Sequence, residues 1–166
     1  MEKIEIKPCA GDKDLQLTAK LANVIWHEYF PFLLTKEQID YMVDKFCSFE
    51  AMKDYEKHHN YHYFMVYVSE ELVGYIALGH EETRLFLSKL YLKKEARGHR
   101  YASQMFDFIK AHAKKYQYDT IYLTCNKHNT HSIQVYEKLG FHVVDEDVTD
   151  IGQGYVMDDV IMEYDL

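Results

Sequence analysis

The spacing of apolar positions changes period several times along the chain, and each change marks an element. Residues 2–8 alternate charged and apolar side chains, the period of two expected of a short half-buried strand. From 15 to 29 the spacing becomes helical, with Leu17, Leu21, Val24 and Ile25 recurring three and four apart. Thr35-Lys36-Glu37-Gln38 has the form of a capping box, in which Thr35 accepts from the third helical N–H and Gln38 reaches back. Behind it Ile39, Met42, Val43 and Phe46 form one stripe and predict a second helix; Ser48 starts a third that ends near Lys57. The period then falls to strand values over 61–68, 72–79 and Leu85–Leu92, with Ser69-Glu70-Glu71 as a hairpin turn between the first two. Helical spacing returns over 101–116, with Ala102, Met105, Phe106, Ile109 and Ala113 on one side. A buried strand over 120–125, a short helix over 131–138 and strands over 141–148 and 155–164 complete the chain. The order β-α-α-α-β-β-β-α-β-α-β-β predicts a single α/β domain over 1–166 built on a mixed sheet.

Composition narrows the function classes. In 166 residues, 48% hydrophobic and 15% aromatic content suffices for one core and excludes disorder. No apolar run approaches the roughly 20 residues that cross a bilayer, and the charged, alternating start is unlike a targeting peptide, so no membrane partner is expected. Cys9, Cys47 and Cys125 are odd in number and lack metal-type spacing, which fits a reducing cytoplasm. The net charge of −8 argues against nucleic acid as a partner, because such binding rests on neutralising phosphates. Acidity suits a cationic small substrate, and equally a plain solvated surface.

Two segments carry candidate chemistry. The first, Arg97-Gly98-His99-Arg100-Tyr101-Ala102-Ser103, lies between a strand and a helix. A loop that turns straight into a helix presents unpaired N–H groups and the positive end of the helix dipole, which together suit a phosphate. Gly98 and Ala102 keep side-chain bulk away from that approach, and Arg97 and Arg100 add charge. Alone, the segment reads equally well as an ordinary turn with basic residues in solvent. The second is Asn126-Lys127-His128-Asn129-Thr130-His131-Ser132, followed by Tyr136 and then Gly140-Phe141. Asn126 and Asn129 have amides that both donate and accept, matching an amide-rich cofactor arm. Tyr136 sits one turn along the short helix; its phenol, with a reference pKa of about 10 against about 8.5 for a thiol, can protonate a departing thiolate. In isolation a core tyrosine is the plainer reading; in this company the acid is preferred.

On these residues the chain resembles the GNAT superfamily of acyl-CoA-dependent N-acyltransferases. The likeness runs from Leu85 to Phe141, and the element order of the whole chain agrees. The family's phosphate loop, Arg/Gln-x-x-Gly-x-Gly/Ala, falls on residues 97–102, and its asparagine and tyrosine pattern falls on Asn126, Asn129 and Tyr136. The resemblance implies a GNAT-like, mostly antiparallel sheet flanked by helices, with acetyl-CoA as cosubstrate. It implies that Leu90, Tyr91 and Leu92 pair with the pantetheine arm, and that N–H groups of Gly98, His99, Arg100, Tyr101, Ala102 and Ser103 hold the pyrophosphate. Ser132 joins Asn126 and Asn129 on the cofactor side, and Tyr136 becomes the general acid. One position departs from the pattern: Arg100 stands where the family has its middle glycine. Either the backbone there avoids positive φ and the arginine points outward, or the loop is reshaped.

The acceptor side follows from the same resemblance and from the aromatic residues. Trp26, Glu28, Tyr29 and Tyr41 lie on the first two helices, which in this fold commonly wall the acceptor pocket, and rings with a carboxylate can enclose a cation. The tail from Ile151 to Met162 resembles bacterial GNAT enzymes that acetylate spermidine or spermine. The position that often carries a glutamate base holds Phe86, which leaves Glu28, His80, Glu81 and Glu82 as candidates. The expectation is direct transfer of acetyl to a small primary amine, without a covalent enzyme intermediate. A non-catalytic module that binds CoA or a small molecule, and a protein or peptide N-acetyltransferase, are the alternatives. Edge strands leave a homodimer open. No metal is expected: His58, His59 and His62 read as a solvated loop rather than a zinc site.

Overall fold

The computed structural model describes residues 2–166. It contains a strand β1 (Glu5–Pro8), helices α1 (Gly11–Tyr29), α2 (Lys36–Met42) and α3 (Phe49–His58), and a meander β2 (Tyr61–Val68), β3 (Glu71–His80) and β4 (Leu85–Leu92). Then follow α4 (Tyr101–Lys115), β5 (Thr120–Asn126), α5 (Thr130–Leu139) and a long hairpin of β6 (His142–Gly152) and β7 (Tyr155–Asp165). The element order is the one that the periodicity predicts. Among the described residues, no helix is long and apolar enough to cross a membrane.

Local chemistry explains the boundaries. Ala10 N–H donates to Asp14 Oδ2 (2.8 Å), which anchors the start of α1, and Ser48 Oγ accepts from Ala51 N–H at the start of α3. Thr35 Oγ1 caps α2 by accepting from Gln38 N–H (3.2 Å). The return arm of the expected capping box is absent: the Gln38 side chain donates to Met42 Sδ instead. The second helix also ends sooner than its stripe predicts, since Val43–Cys47 forms a π-helical turn that buries Val43 and Cys47 together. Ser69 and Glu70 both adopt positive φ (49° and 69°), the geometry of a tight hairpin turn without glycine. His62 belongs to β2, not to a solvated loop.

The seven strands run in the order β1-β2-β3-β4-β5-β7-β6. One apolar core lies between the sheet and α4, around Met105, Phe106 and Ile109; the other lies under α1 to α3, around Leu15, Ile25, Ile39 and Met52. All neighbours pair antiparallel except β4 and β5, which are parallel and joined only through Leu85 with Ile121 and Phe86 with Tyr122. Stacking of Phe86 on Tyr122 (4.7 Å), with Arg84 over the Tyr122 ring (3.7 Å), closes that paired end. Past it the strands part. Against β3 the register jumps from Leu87 opposite Leu78 to Lys89 opposite Ala77, so Ser88 is an extra, bulged residue where β4 leaves β5.

At the open end β3 and β4 approach unusually closely: a Cβ on Gly74 would lie 2.5 Å from the Tyr91 carbonyl oxygen and 2.9 Å from a Leu92 methyl. Only glycine fits there without moving β4. Gly74→Ala is expected to cost about 1–3 kcal/mol through this overlap, lowering Tm by roughly 3–10 °C in calorimetry.

Candidate active site

The gap between β4 and β5 opens into a cavity of about 450 Å³. Its floor is the unpaired end of β4, with Leu90, Tyr91 and Leu92 on the lining. One wall comes from the loop and first turn of α4 (Arg97, Gly98, Arg100, Tyr101, Ala102), the other from β5 and α5 (Asn126, Asn129, Ser132, Tyr136). Helix α1 and the segment after it contribute Trp26, Tyr29, Phe30, Leu33 and Leu34. Fourteen of the residues singled out from the sequence are thus brought to one cavity. His99 and Ser103 are exposed and off its lining.

The loop before α4 resolves the Arg100 question. Arg100 adopts the left-handed conformation (φ 63°, ψ 20°), and Gly98 also has positive φ (82°). The expected alternatives, a backbone without positive φ or a reshaped loop, both give way to a third outcome. The glycine-like conformation is kept with an arginine in it, at a cost of roughly 1 kcal/mol. The Arg100 side chain has no capping role, so the N–H groups at the start of α4 stay open. Arg97 acts differently from a free phosphate ligand: its guanidinium donates twice to the Leu92 carbonyl (3.2 and 3.1 Å) and covers the Tyr29 ring (4.8 Å).

Both asparagines have their acceptors occupied. Asn129 Oδ1 caps α5 by accepting from Ser132 N–H (3.3 Å), and Asn126 Oδ1 accepts from His128 N–H (2.9 Å). Each keeps its NH₂ to offer to a ligand, with one lone pair of its oxygen already used. The Ser132 hydroxyl is hydrogen-bonded to the Tyr29 hydroxyl, a bridge from α5 to α1 across the cavity mouth. Tyr136 packs on Phe141 (5.8 Å), and burial pushes its phenol well above the ordinary value, so it holds its proton. Burial likewise lifts the neighbouring Cys125 thiol to about 12, which makes it an inert apolar filler.

Trp26 is wedged between Phe30 (4.7 Å) and Tyr91 (5.8 Å) and donates to the Tyr75 hydroxyl (3.1 Å). Two of the expected acceptor residues lie elsewhere. Tyr41 donates to the Ile151 carbonyl (2.5 Å) and pins the β6–β7 hairpin, and exposed Glu28 accepts from Lys94 N–H. The candidate bases fare no better: Glu81 is held by Tyr122 and Arg84, Glu82 is exposed, and His80 lies at the opposite end of the sheet.

The carboxylate in the cavity is one that the sequence reading missed. Asp159 stands opposite Asn126 on β7, is 8% exposed, and is the only carboxylate among the described residues of the lining. Its neighbour Asp158 points the other way, to Lys127 (2.7 Å). Burial, and then repulsion by Asp158 and Asp147, raises the Asp159 carboxyl to about 6. The signal available in the sequence was the pair Asp158-Asp159 inside an apolar strand, where alternation must send one aspartate inward.

Residues 20–141 match the family model described as Acetyltransferase (GNAT) family, and the chain belongs to that family. Among solved structures it is similar to the PaiA N-acetyltransferase of Thermoplasma acidophilum in complex with coenzyme A (22% identity, 99% of each chain, TM-score 0.82). It is also similar to a GCN5-related N-acetyltransferase of Rhodopseudomonas palustris (13% identity, 100% of this chain and 98% of that one, TM-score 0.83). A third is a Bacillus subtilis acetyltransferase in complex with CoA (17% identity, 100% and 99% covered, TM-score 0.61). No curated protein is detectably similar in sequence.

Two outcomes follow from the geometry. Arg100→Gly is expected to relieve the left-handed residue and raise Tm by about 2–4 °C in a thermal melt. For Asp159 the folded state holds its proton up to about pH 6 and the unfolded chain only to 3.8, so stability falls as pH rises through that window. Asp159→Asn is expected to be roughly 2–3 kcal/mol more stable than the parent at pH 7, with the advantage gone by about pH 4, in paired denaturant titrations.

Proposed function

We propose that residues 1–166 act as one domain that transfers the acetyl group of acetyl-CoA to the primary amine of a small molecule by direct attack. The carrying observation is that one cavity holds both a buried phenol, Tyr136, and a carboxyl that burial raises to about 6, Asp159. Such a pair divides into acid and base. Family membership supports acetyl-CoA as cosubstrate, and the residues present fit it. The parted edge of β4 suits an extended amide-rich arm, the NH₂ groups of Asn126 and Asn129 suit its carbonyls, and the open start of α4 with Arg100 suits a pyrophosphate.

When bound, acetyl-CoA supplies an activated acyl carbonyl and a good leaving group. Asp159, directly or through a water, takes a proton from the ammonium of the acceptor and leaves the lone pair free to attack the thioester carbonyl. Tyr136 then gives its proton to the sulfur as the C–S bond breaks; the second proton on the former amine nitrogen returns to the tyrosinate through solvent, leaving a neutral amide and a free thiol, and Asp159 releases its proton to water. The high pKa of Tyr136 keeps it protonated until a thiolate forms beside it. Trp26, Tyr29, Phe30 and Tyr91 frame the acceptor end with ring faces that suit the alkyl chain and charge of an amine. With one carboxylate lining the same cavity, a polyamine fits the reading, one amine entering and the other cation remaining outside.

Calorimetric titration with acetyl-CoA, followed by thiol release over an amine panel, tests this reading. Micromolar cofactor binding and amine-dependent thiol release are expected, with an acid limb of kcat/KM near pH 6. Tyr136→Phe and Asp159→Asn should each lower kcat by about 10²–10⁴ while acetyl-CoA affinity changes little. Unchanged turnover in both variants, or no cofactor binding at millimolar concentration, overturns the assignment.

A further inference from the structure

At the other end of the sheet three histidines converge from three elements. His62 on β2 pairs with Leu78, so His80 two residues further on β3 is its diagonal neighbour on the same face. The two rings stack at 4.1 Å. Helix α4 crosses that face and brings His112, whose Nε2 lies 2.9 Å from His80 Nε2. One ring nitrogen of each histidine lies within 4.8 Å of the other two. The group is half-buried, and His62 and His112 border a cavity of about 680 Å³ that Glu56 also lines.

We propose that His62, His80 and His112 form a binding site for a late first-row transition-metal ion, with zinc the best match. Three imidazole nitrogens with a fourth position open to a cavity is a recognised donor set for that ion. Tetrahedral coordination at about 2.0–2.1 Å places ligand nitrogens about 3.3 Å apart. The His80–His112 pair must therefore open by a few tenths of an ångström, while His62 closes by rotation of its ring. His80 is oriented from behind by the Tyr118 hydroxyl, 3.1 Å from Nδ1. With Nδ1–H donating to that oxygen, Nε2 carries the lone pair for the metal. The proton now shared between the two Nε2 atoms passes to His112 Nδ1, so all three ligands stay neutral and none must be stripped of charge.

The surroundings suit a cation more than the rings alone suggest. Desolvation keeps His80 and His112 neutral down to about 4, and lowers His62 as well. The carboxylate of Glu56 acts on His62, and His112 stands in the last turn of α4, at the negative end of the helix dipole. Lys115, on the same cavity wall, is the opposing charge. His80 pairs with Leu85, the first residue of β4, whereas the candidate active site uses the last three. The ion would tie the C-terminal end of α4 to β2 and β3, far from the reacting groups, and act on stability rather than on turnover.

The test uses untagged full-length protein freed of metal with a chelator, then titrated with Zn²⁺ and, separately, with Co²⁺. One equivalent of Zn²⁺ should bind, Tm should rise by about 5 °C or more at hundredfold excess over Kd, and Co²⁺ should give the visible absorption of a tetrahedral site. His80→Gln and His112→Gln should each weaken binding at least tenfold, whereas a His58→Ala/His59→Ala double variant should bind as the parent does. Uptake lost in the double variant and kept in the other two overturns the site, as does failure of the parent to bind. Should the core variants not fold, imidazole ¹⁵N spectra of the parent decide: Zn²⁺ must shift the resonances of His62, His80 and His112, and shifts confined to other histidines overturn the proposal.

Discussion

The parting of β4 from β5 after two residue pairs is the constraint from which the rest of the molecule follows. Two parallel strands that stayed together would satisfy each other's backbone groups and leave no cleft. Here a stacked Phe86–Tyr122 pair closes one end, and the Ser88 bulge accompanies the divergence toward the other. Because β4 leads into α4 and β5 into α5, both helices begin beside the opening and turn their positive ends toward it. Charge recognition and cleft thus share one cause, a local failure of strand pairing.

Within that opening a single physical agent, removal of water, works in opposite chemical directions. It holds the Tyr136 proton in place and makes the Asp159 carboxyl reluctant to lose its own. In the proposed reaction the first group is the proton reserve and the second, raised to about 6, is the base. The second arrangement is a strain on the fold, since an ionised buried carboxylate is worse solvated than in the unfolded chain. Chemistry and stability therefore oppose each other at this residue, as they do in milder form at Arg100, where an arginine occupies glycine's conformation.

The order of elements was legible because periodicity reports which face is turned toward the core. The exception is β6, whose residues from His142 to Asp150 are all exposed: it extends to Gly152, past the expected end, as the edge of a hairpin rather than as core. The cavity wall formed by the loop before α4 and by α5 was legible through contiguous motifs, since loop and helix start are neighbours in the chain. The wall supplied by α2 and β7 was not. Gln38, Met42, Met157 and Asp159 reach the cavity from α2 and from β7, more than a hundred residues apart, and only the sheet order brings β7 beside β5. Tyr41 shows the converse error, an aromatic residue on a promising helix whose hydroxyl is spent on a hairpin carbonyl. The histidines escaped for the same reason. Local clustering pointed to His58 and His59, while the partners of His62 lie on another strand and another helix.

Trp26 carries one more implication. It is the only tryptophan among 166 residues, beside 15 tyrosines, and it stands on the wall of the cleft between Phe30 and Tyr91 with its N–H held by Tyr75. Light absorbed by the tyrosines drains toward this indole, so the emission of the chain originates largely at the wall of the cavity. The protein in effect carries its own optical gauge, one that reads the filling and emptying of the site without any label.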